Sequence, residues 1–480
     1  MKPANYPLEP AQLWEHFYQI TRIPRPSRQE AAVRQYVIDL AERGGHPWRT
    51  DETGNLLVSV PASEGRADRP AVVIQNHLDM VTVKTGDKDH DFSSQPLSLQ
   101  VVDGWLRADR TTLGADNGVG CAAALALMTD EQLVHPPLEL LFTVDEETGL
   151  GGALNLDPSL ITGDLMLNLD TEDWHELYVG CAGAGGWELR RSFATNPLAA
   201  DTEQWRLSLS GLAGGHSGIQ IHEQLGNAIK LLGQCLADVP GLQLADFDAG
   251  LAHNVIPREG SVSFVCASGG GALLQARLQE LQAQWLAYLP AADSALVLAL
   301  DPASVAQVLT QADTQLVLDL IALFPHGALA YNLVQPAELV DLSSNFARLR
   351  LSGGELMVEC SYRFFNEDQS LPLQQQVLGL ARLFGLRETV SVSYPGWQPD
   401  FDSPLLARAS ALHEQLFGLR PAVKAIHAGL ECGILKGKRP DMDILSFGPT
   451  IRGAHSPTER LQIETVAPFW QFLTALLTEL

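Results

Sequence analysis

Short, almost wholly apolar segments that alternate with helical patterns constrain this chain most. AVVIQ (71–75), LELLFTV (138–144) and LMLNLD (165–170) have the length and composition of strands buried on both faces, and GVGCAAALALMTD (118–130) is typical of a buried helix. Strands of this kind alternate with helices in α/β folds. The sequence therefore predicts an α/β domain with a mostly parallel, mixed sheet.

Two local signals support this organisation. Ser27 followed by Glu30 predicts a capping box that opens an amphipathic helix, and Gly44-Gly45 predicts its end. Asp103-Gly104 lies between two short apolar runs and predicts a hairpin turn.

The pattern changes after VGCAGAGG (179–186), where polar and apolar residues begin to alternate, as in WELRRSF and WRLSLSGL. Alternation predicts an antiparallel sheet with one wet face and helices on the other. Two strand–helix blocks, near 187–290 and 300–395, are alike in organisation, although no repeat is evident. We expect an α/β domain formed by residues 1–186 and 396–480, interrupted by an inserted α+β domain at 187–395.

The composition excludes several classes of protein. Lys+Arg of 32 against Asp+Glu of 57 gives a net charge of −25, which disfavours binding to nucleic acid. No apolar run reaches the roughly 18 residues of a membrane span, and the amino terminus does not resemble a signal peptide. We therefore expect a cytoplasmic protein without membrane contact. Six scattered cysteines are expected to be reduced and structural: Cys121, Cys181, Cys235, Cys266, Cys360 and Cys432.

Acidic and histidine side chains follow the apolar elements or lie in glycine-rich turns. Since the carboxyl ends of parallel strands meet at one edge of a sheet, these side chains are expected to converge. Any one of them alone has a simpler interpretation, such as a hydrogen-bonded histidine, a solvated acidic turn or a helix cap. The segments, in chain order, place His77 and Asp79 in QNHLDMV, Asp116 in LGADNGVG, Glu146 and Glu147 in DEETG, Asp170 in LNLDTED and His455 in GAHSPTE.

Imidazoles and carboxylates without cysteine form a ligand set that suits zinc, cobalt or manganese. A pair of metals needs one bridging carboxylate and two further protein ligands for each ion. That count is provided by His77, Asp116, Glu147, Asp170 and His455. Asp79 then remains to orient His77, and Glu146 remains to accept a proton from water.

The order HxD…ADNG…DEETG…NLDTE…GAHS resembles the di-zinc exopeptidases, which include peptidase T, glutamate carboxypeptidase, aminoacylase and the carnosine dipeptidases. QNHLDMV, TLGADNGVG, DEETGLGGA, GLAGGHSGIQIH, HAGLECG and SFGPTIRGAHSPTE together resemble the aminoacyl-histidine dipeptidases of that clan. The resemblance runs from the first helix to the last, and every metal-ligand position matches the pattern.

The resemblance implies a role for each of these side chains. His77 and Asp170 would hold one metal, Glu147 and His455 the other, and Asp116 would bridge them. Glu146 would be the general base and Asp79 would steer His77. Within the clan, aspartate at the position of Asp170 correlates with substrates that have a free amino end.

The resemblance also implies substrate contacts. His216, in GLAGGHSG, would stabilise the developing oxyanion. Asn254 and Arg363 would hold the backbone and terminal carboxylate of the substrate, and Glu431 would line the pocket. Arg348 and Arg350, in the preceding strand, leave the choice of arginine open. Residues 1–186 and 396–480 would form the catalytic domain, and the inserted domain at 187–395 would be a lid and dimerisation domain. A homodimer is therefore implied, and whether His216 serves its own site or that of a partner stays open.

Three motifs that would indicate other functions are incomplete or leave residues unexplained. GGHSGI has Ile219 where a serine nucleophile elbow requires glycine. GCAGAGG is followed by a strand instead of the helix that a dinucleotide loop requires. A glycosidase would leave the histidines unexplained. We expect a metal-dependent hydrolase of Xaa-His dipeptides, including β-alanyl-histidine, and keep two alternatives: an N-acyl amino acid hydrolase or broader peptidase, and a non-catalytic metal- or peptide-binding relative.

Overall fold

The computed structural model describes residues 2–332 and 339–480. The chain divides into two compact units. The first unit consists of Met1–Cys181, Trp397–Ala425 and Leu430–Leu480, and the second of Ala182–Gly396 and Ile426–Gly429. The boundary expected at residue 186 falls inside a continuous strand, Gly183–Ser192, and the short return of the second unit at 426–429 was not anticipated.

The elements before residue 182 belong to the first unit. They are α1 (Ala11–Thr21), α2 (Ala31–Gly44), β1 (Trp48–Thr50), β2 (Leu56–Val60), β3 (Val72–His77), β4 (Leu99–Val102), β5 (Trp105–Ala108), α3 (Ala115–Thr129), β6 (Leu138–Thr143), α4 (Gly151–Leu154), a 3-10 turn (Pro158–Leu160), β7 (Leu165–Asn168) and β8 (Glu176–Cys181).

The elements between 182 and 396 belong to the second unit. They are β9 (Gly183–Ser192), β10 (Asn196–Pro197), β11 (Thr202–Ser210), β12 (Gly215–His216), a 3-10 turn (Ile221–Glu223), α5 (Ala228–Leu236), β13 (Gln243–Ala249), β14 (Val255–Ile256), β15 (Gly260–Ala267), α6 (Gly270–Leu286), a 3-10 turn (Ala291–Asp293), β16 (Val297–Pro302), β17 (Gln307–Val308), α7 (Gln311–Leu323), β18 (Gly327–Tyr331), β19 (Val340–Ser352), β20 (Glu355–Phe364), α8 (Glu367–Leu383) and β21 (Arg387–Tyr394).

The remaining elements lie in the last part of the chain. They are α9 (Pro404–Phe417), β22 (Ala422–Ile426), α10 (Glu431–Lys438), β23 (Asp443–Ser446), β24 (Ile451–Arg452), β25 (Arg460–Gln462) and α11 (Ile463–Glu479).

The main sheet of the first unit has the strand order β1-β2-β6-β3-β7-β23-β8-β22. Its four central strands, β6, β3, β7 and β23, are parallel, whereas β1, β2 and β8 pair antiparallel. The strands β3, β6 and β7 are buried along almost their whole length, which explains their continuous apolar sequences. The predicted α/β class with a mixed sheet is confirmed, and the parallel pairing is concentrated at its centre.

Two local predictions have different outcomes. The Asp103-Gly104 turn joins β4 to β5 with both residues at positive φ, as predicted. The capping box at Ser27 is wrong, because α2 begins at Ala31 and its N-cap, Glu30, makes no side-chain cap hydrogen bond. The hydroxyl of Ser27 donates instead to Asp79 Oδ2 over 2.8 Å, so a tertiary contact replaces the local one.

The second unit contains a nine-stranded sheet with the order β16-β11-β15-β13-β19-β20-β9-β21, and β18 pairs with β19. The pairs given for this sheet are antiparallel, as the alternating sequence predicts. Buried residues of α5, α6, α7 and α8 pack with those of the strands in one hydrophobic cluster. That cluster is the core of the unit.

All six cysteines are buried and none forms a disulfide, in keeping with a structural role. Among the helices that the structure describes, none combines the length and the apolar character needed to cross a membrane.

Candidate active site

One carboxylate, that of Asp116, lies between two histidines of the first unit. Its Oδ1 is 3.1 Å from His77 Nε2, and its Oδ2 is 3.2 Å from His455 Nε2. Each histidine also faces a second carboxylate, Asp170 Oδ1 at 3.3 Å from His77 Nε2 and Glu147 Oε2 at 3.0 Å from His455 Nε2. Two groups of three potential metal ligands therefore share Asp116.

The parallel strands bring these residues together. His77 is the last residue of β3, Glu147 follows the end of β6, and Asp170 follows the end of β7. Asp116 lies in the first turn of α3 with non-helical backbone angles, φ −77° and ψ 113°, which direct it away from the regular helix. His455 lies in the loop between β24 and β25, with φ +62°.

Asp170 is held by a residue that the sequence did not single out. Asn117 Nδ2 donates to Asp170 Oδ1 over 2.6 Å and to the carbonyl of Leu169 over 2.7 Å. The side chain of Asn117 is 1 % exposed, so water does not compete for these bonds. Asn117 was recognisable only as part of the ADNG turn, and its contact with a strand end 53 residues away has no local sequence signal.

Asp79 is fully buried and links the loops that follow β3 and β6. Its oxygens accept hydrogen bonds from the amides of Glu146 and Glu147, each over 3.1 Å, and from Ser27. Its Oδ1 lies 3.4 Å from His77 Nδ1, on the side of the ring opposite Asp116. Burial alone would raise the pKa of Asp79, but His77 and these donors lower it to about 2.

The electrostatics of the cluster favour cations. Burial acts against the charged form of His77, yet the adjacent Asp170 and Asp116 raise its pKa well above the usual value. Hydrogen bonds with Asp116 and Glu147 raise the pKa of His455 to about 11. Burial and the charge of Asp116 raise the pKa of Asp170 to about 7, against the opposing effect of His77. Negative charge is therefore concentrated at a site where solvent screens it little.

These residues fit a pair of divalent cations. Each three-residue group has its ligand atoms within 4.8 Å of one another and combines one imidazole with two carboxylates. In addition, Glu147 Oε1 is buried and makes no hydrogen bond, which leaves one oxygen of that carboxylate without a protein donor. A bound cation would satisfy that oxygen and offset the crowded carboxylates.

Glu146 also lies at this cluster, in a third group with His77 and Glu147. Burial raises the pKa of Glu146 well above its usual value, and the neighbouring carboxylates of Glu147 and Asp170 add to the rise against the opposing effect of His77. A carboxylate with a raised pKa beside candidate metal ligands is the kind of group that takes part in proton transfer.

Glu431 begins α10 and is completely buried in the first unit. Its Oε2 accepts from Gln75 Nε2 over 2.6 Å and from Thr143 Oγ1 over 2.5 Å, while its Oε1 has no hydrogen-bond partner. Burial raises the pKa of Glu431 to about 8, against the opposing effect of His77. A charged residue in a loop is usually solvated, and the sequence context of Glu431 allows that simpler interpretation. The structure shows instead that Glu431 is buried.

His216 and Asn254 are close to each other in the second unit. Strand β12, which ends at His216, pairs with β14, which begins at Val255, directly after Asn254. The ring of His216 accepts hydrogen bonds at Nδ1 from the amides of Gly218 and Ile219, over 3.2 and 3.1 Å. In a neutral imidazole the proton is then on Nε2, which is a donor.

Arg363 is 7 % exposed on β20, and its Nη1 donates to the hydroxyl of Tyr394 over 3.2 Å. Its Nε makes no hydrogen bond. Of the alternatives, Arg350 is exposed and pairs with Asp248 over 3.0 Å. The turn at Gly218 packs against Arg363, since a Cβ at that glycine would lie 2.9 Å from Arg363 Nε.

His427 is a second residue that the sequence did not single out. It belongs to the HAGLECG segment and to the second unit, where its Nε2 lies 2.7 Å from Ser343 Oγ. The ring is 6 % exposed and its Nδ1 has no hydrogen-bond partner. Burial, together with the charges of Arg363 and His216, lowers the pKa of His427 to about 3. Its position at the start of the HAGLECG motif was the available signal.

Residues 73–479 match the family described as "Peptidase family M20/M25/M40". The chain belongs to this peptidase family. This match, together with the dipeptidase relatives described next, confirms the predicted resemblance.

Two relatives of this M20/M25/M40 peptidase share 36 % of its sequence. One is the cytosol non-specific dipeptidase of Escherichia coli (strain K12), aligned over 479 residues that cover 98 % of each chain. The other is the structure of aminoacylhistidine dipeptidase from Vibrio alginolyticus, with a TM-score of 0.87 over 98 % of this chain and 97 % of that one. The aminopeptidase PepT of Bacillus cereus shares the fold, with a TM-score of 0.55 and 15 % identity over 98 % of each chain.

Proposed function

We propose that this chain is a metal-dependent dipeptidase whose substrates include Xaa-His dipeptides such as β-alanyl-histidine. The observation that carries the proposal is the sharing of Asp116 between two histidine-containing groups of ligands. A bridging carboxylate with one imidazole and one further carboxylate on each side suits a two-metal hydrolase. The names of the two relatives at 36 % identity support a dipeptide as the substrate.

In this proposal His77 and Asp170 would hold one metal, Glu147 and His455 would hold the other, and Asp116 would be shared between them. Zinc is the proposed ion, with cobalt or manganese as substitutes. Bound divalent ions would polarise the scissile carbonyl and make water a stronger nucleophile near neutral pH. Asp79 keeps His77 in one orientation, because its Oδ1 faces Nδ1 while Nε2 faces the ligand cluster.

Glu146 is the proposed general base. Its carboxylate would accept a proton from the attacking water and then deliver that proton to the leaving amine nitrogen, so that the residue ends the cycle ionised. The raised pKa of Glu146 supports this role, since a carboxyl group must hold the proton between the two steps.

The second unit is proposed to act as the lid and to supply His216, Asn254 and Arg363. His216 Nε2, the donor nitrogen of the neutral ring, would stabilise the negative charge that develops on the carbonyl oxygen. Asn254 would hold the substrate backbone. Arg363 has a guanidinium Nε without a partner and would bind the terminal carboxylate as a fork.

Glu431 is proposed to hold the free amino group of the substrate. Its Oε1 has no partner, and an ammonium group would provide the missing donor while favouring the ionised carboxylate. The aspartate at position 170 fits a substrate with a free amino end, by the resemblance described above. We also propose a cytoplasmic homodimer, in which His216 serves either its own site or that of the partner.

A substrate panel tests the function. β-Ala-His, Gly-His, Gly-Leu and an N-acetyl amino acid are offered to metal-stripped protein and again after zinc, cobalt or manganese is added. We expect metal-dependent cleavage of the dipeptides and little cleavage of the acetylated compound. Cleavage of the acetylated compound alone would indicate an acylase. Peptide binding without product under any metal would indicate a non-catalytic relative and contradict the proposal.

A further inference from the structure

The turn that precedes α3 is bound to a buried carboxylate from the far end of the chain. Glu459 Oε2 accepts from the amides of Leu113 and Gly114, over 2.6 and 2.9 Å. Its Oε1 accepts from the amides of Ala115 and Asp116, over 2.7 and 3.3 Å. These donors belong to the start of a helix whose N-cap, Gly114, has no side chain to accept them. Glu459 therefore caps α3 from a distance of 343 residues.

A buried cation holds the same turn from the other side. Arg25 is 2 % exposed, and its Nη2 donates to the carbonyl of Gly114. Its Nη1 donates to the carbonyls of Leu78 and Asp79, over 2.8 and 2.5 Å. Gly114 has φ +66°, and a Cβ there would lie 2.5 Å from Arg25 Nη2, so only glycine suits this position. The amide of Gly114 is thus fixed by Glu459 and its carbonyl by Arg25.

Glu459 also belongs to the turn that carries His455. Its amide donates to the carbonyl of Ser456 over 3.0 Å, and the side chain of Glu459, 2 % exposed, reaches from this turn to the one before α3. Glu459 therefore connects two candidate ligands. Its carboxylate contacts the backbone amide of Asp116, and the residue itself lies in the loop that carries His455.

We propose that Glu459, supported by Arg25, is a positioning residue that sets the distance between the Asp116 and His455 ligands. It acts on the metal centre through the backbone and touches neither substrate nor reacting atoms. This inference rests on the two-metal function proposed above. Burial raises the pKa of Glu459 to about 7, and the amides oppose that rise because they favour the carboxylate.

Glu459→Gln is the main test. The substitution keeps the volume but replaces one acceptor oxygen by an NH₂ group, which must face two backbone donors. Zinc affinity is measured by competition with a chromophoric chelator on the metal-stripped full-length protein. We expect zinc affinity to fall by about 10–100-fold. We also expect kcat for a dipeptide to fall while KM changes little, since the substrate contacts are intact. Glu459→Asp, which retains the charge, should recover part of the zinc affinity.

Glu139→Gln is the matched control. Glu139 is a buried carboxylate of the same unit that accepts from the amides of Thr162 and Gly163, over 2.9 and 3.0 Å. It lies at the amino end of β6, whereas the candidate ligands follow the carboxyl end. We expect this variant to unfold at a lower temperature and to bind zinc as the unchanged protein does. Equal zinc affinity in the Glu459 and Glu139 variants would overturn the proposal.

If the variants do not fold, amide hydrogen exchange of the unchanged protein still tests the proposal. In the unchanged protein, the amides of residues 113–116 should exchange as slowly as those inside α3, because the carboxylate holds them. Rapid exchange there would overturn the inference. Absence of dipeptide cleavage by the unchanged protein would instead refute the proposed function. The zinc affinities of the Glu459 and Glu139 variants would still test the positioning role of Glu459.

Discussion

Asp116 Oδ2 lies 3.2 Å from Nε2 of His455, a residue 339 positions later in the chain. The other oxygen of the same carboxylate faces His77, 39 positions earlier. The fold thus brings three distant segments of one unit to a single carboxylate.

Asp116→Asn should remove the shared negative charge while keeping the shape of the side chain. Both groups of ligands lose an anionic member, so we expect zinc affinity and kcat to fall by roughly 100-fold or more. Elemental analysis after dialysis measures the metal content. Asp103→Asn, in the exposed β4–β5 turn, is the control, because asparagine is also suited to its positive φ. Normal metal content in the Asp116 variant would refute the bridging role.

Glu146→Gln should abolish proton transfer and leave the metal ligands in place. We expect kcat to fall by about 10²–10⁴-fold, with metal content close to that of the unchanged protein. The exposed Glu131→Gln is the control and should retain full activity. Retained turnover in the Glu146 variant would remove this residue from the mechanism.

Arg363→Lys should weaken the binding of the substrate carboxylate, since lysine lacks the planar fork of donors. We expect KM for dipeptides to rise by roughly tenfold, with a smaller change in kcat. Arg350→Lys is the matched control, because that arginine is exposed and forms an ion pair with Asp248. A rise in KM in the Arg350 variant, without one in the Arg363 variant, would assign the substrate carboxylate to the other arginine.

His427 predicts part of the pH dependence of stability. The pKa of His427 is lowered to about 3 in the folded protein, against a usual value near 6.5. As pH falls from 6.5 toward 3, the unfolded chain therefore binds a proton at this residue that the folded chain does not bind. This residue therefore destabilises the fold progressively over that window. His427→Gln, which does not titrate, should show a shallower loss of urea-unfolding midpoint between pH 6.5 and 4. An unchanged slope would show that His427 is not the group responsible.

The positions of three candidate ligands, His77, Glu147 and Asp170, were predictable because each ends or follows an apolar strand. The strands β3, β6 and β7 could be read from uninterrupted apolar residues, and polar side chains directly after a buried strand are unusual enough to indicate a site. Parallel pairing then implies that their carboxyl ends converge. His77 and Asp170 are the clearest cases, and their 3.3 Å approach follows from adjacent strands.

The supporting contacts were not predictable, because they depend on tertiary structure. Ser27 and Glu30 have the spacing of a capping box, yet Ser27 binds Asp79 and α2 begins later. The hydroxyl of Ser27 binds the buried carboxylate of Asp79 instead of capping the helix, and only the folded chain brings that acceptor near. Asn117 and His427 likewise have short-range patterns typical of turns, and their partners, Asp170 and Ser343, are far away in the sequence.

The central claim is that Asp116 bridges two metal ions. A crystal structure of the zinc-loaded protein, with anomalous diffraction recorded at the zinc edge, tests it directly. We expect two peaks about 3.5–4 Å apart, one beside His77 and Asp170 and the other beside Glu147 and His455, with Asp116 between them. A single peak, or two peaks of which one lies away from Asp116, would contradict a bridging role for Asp116.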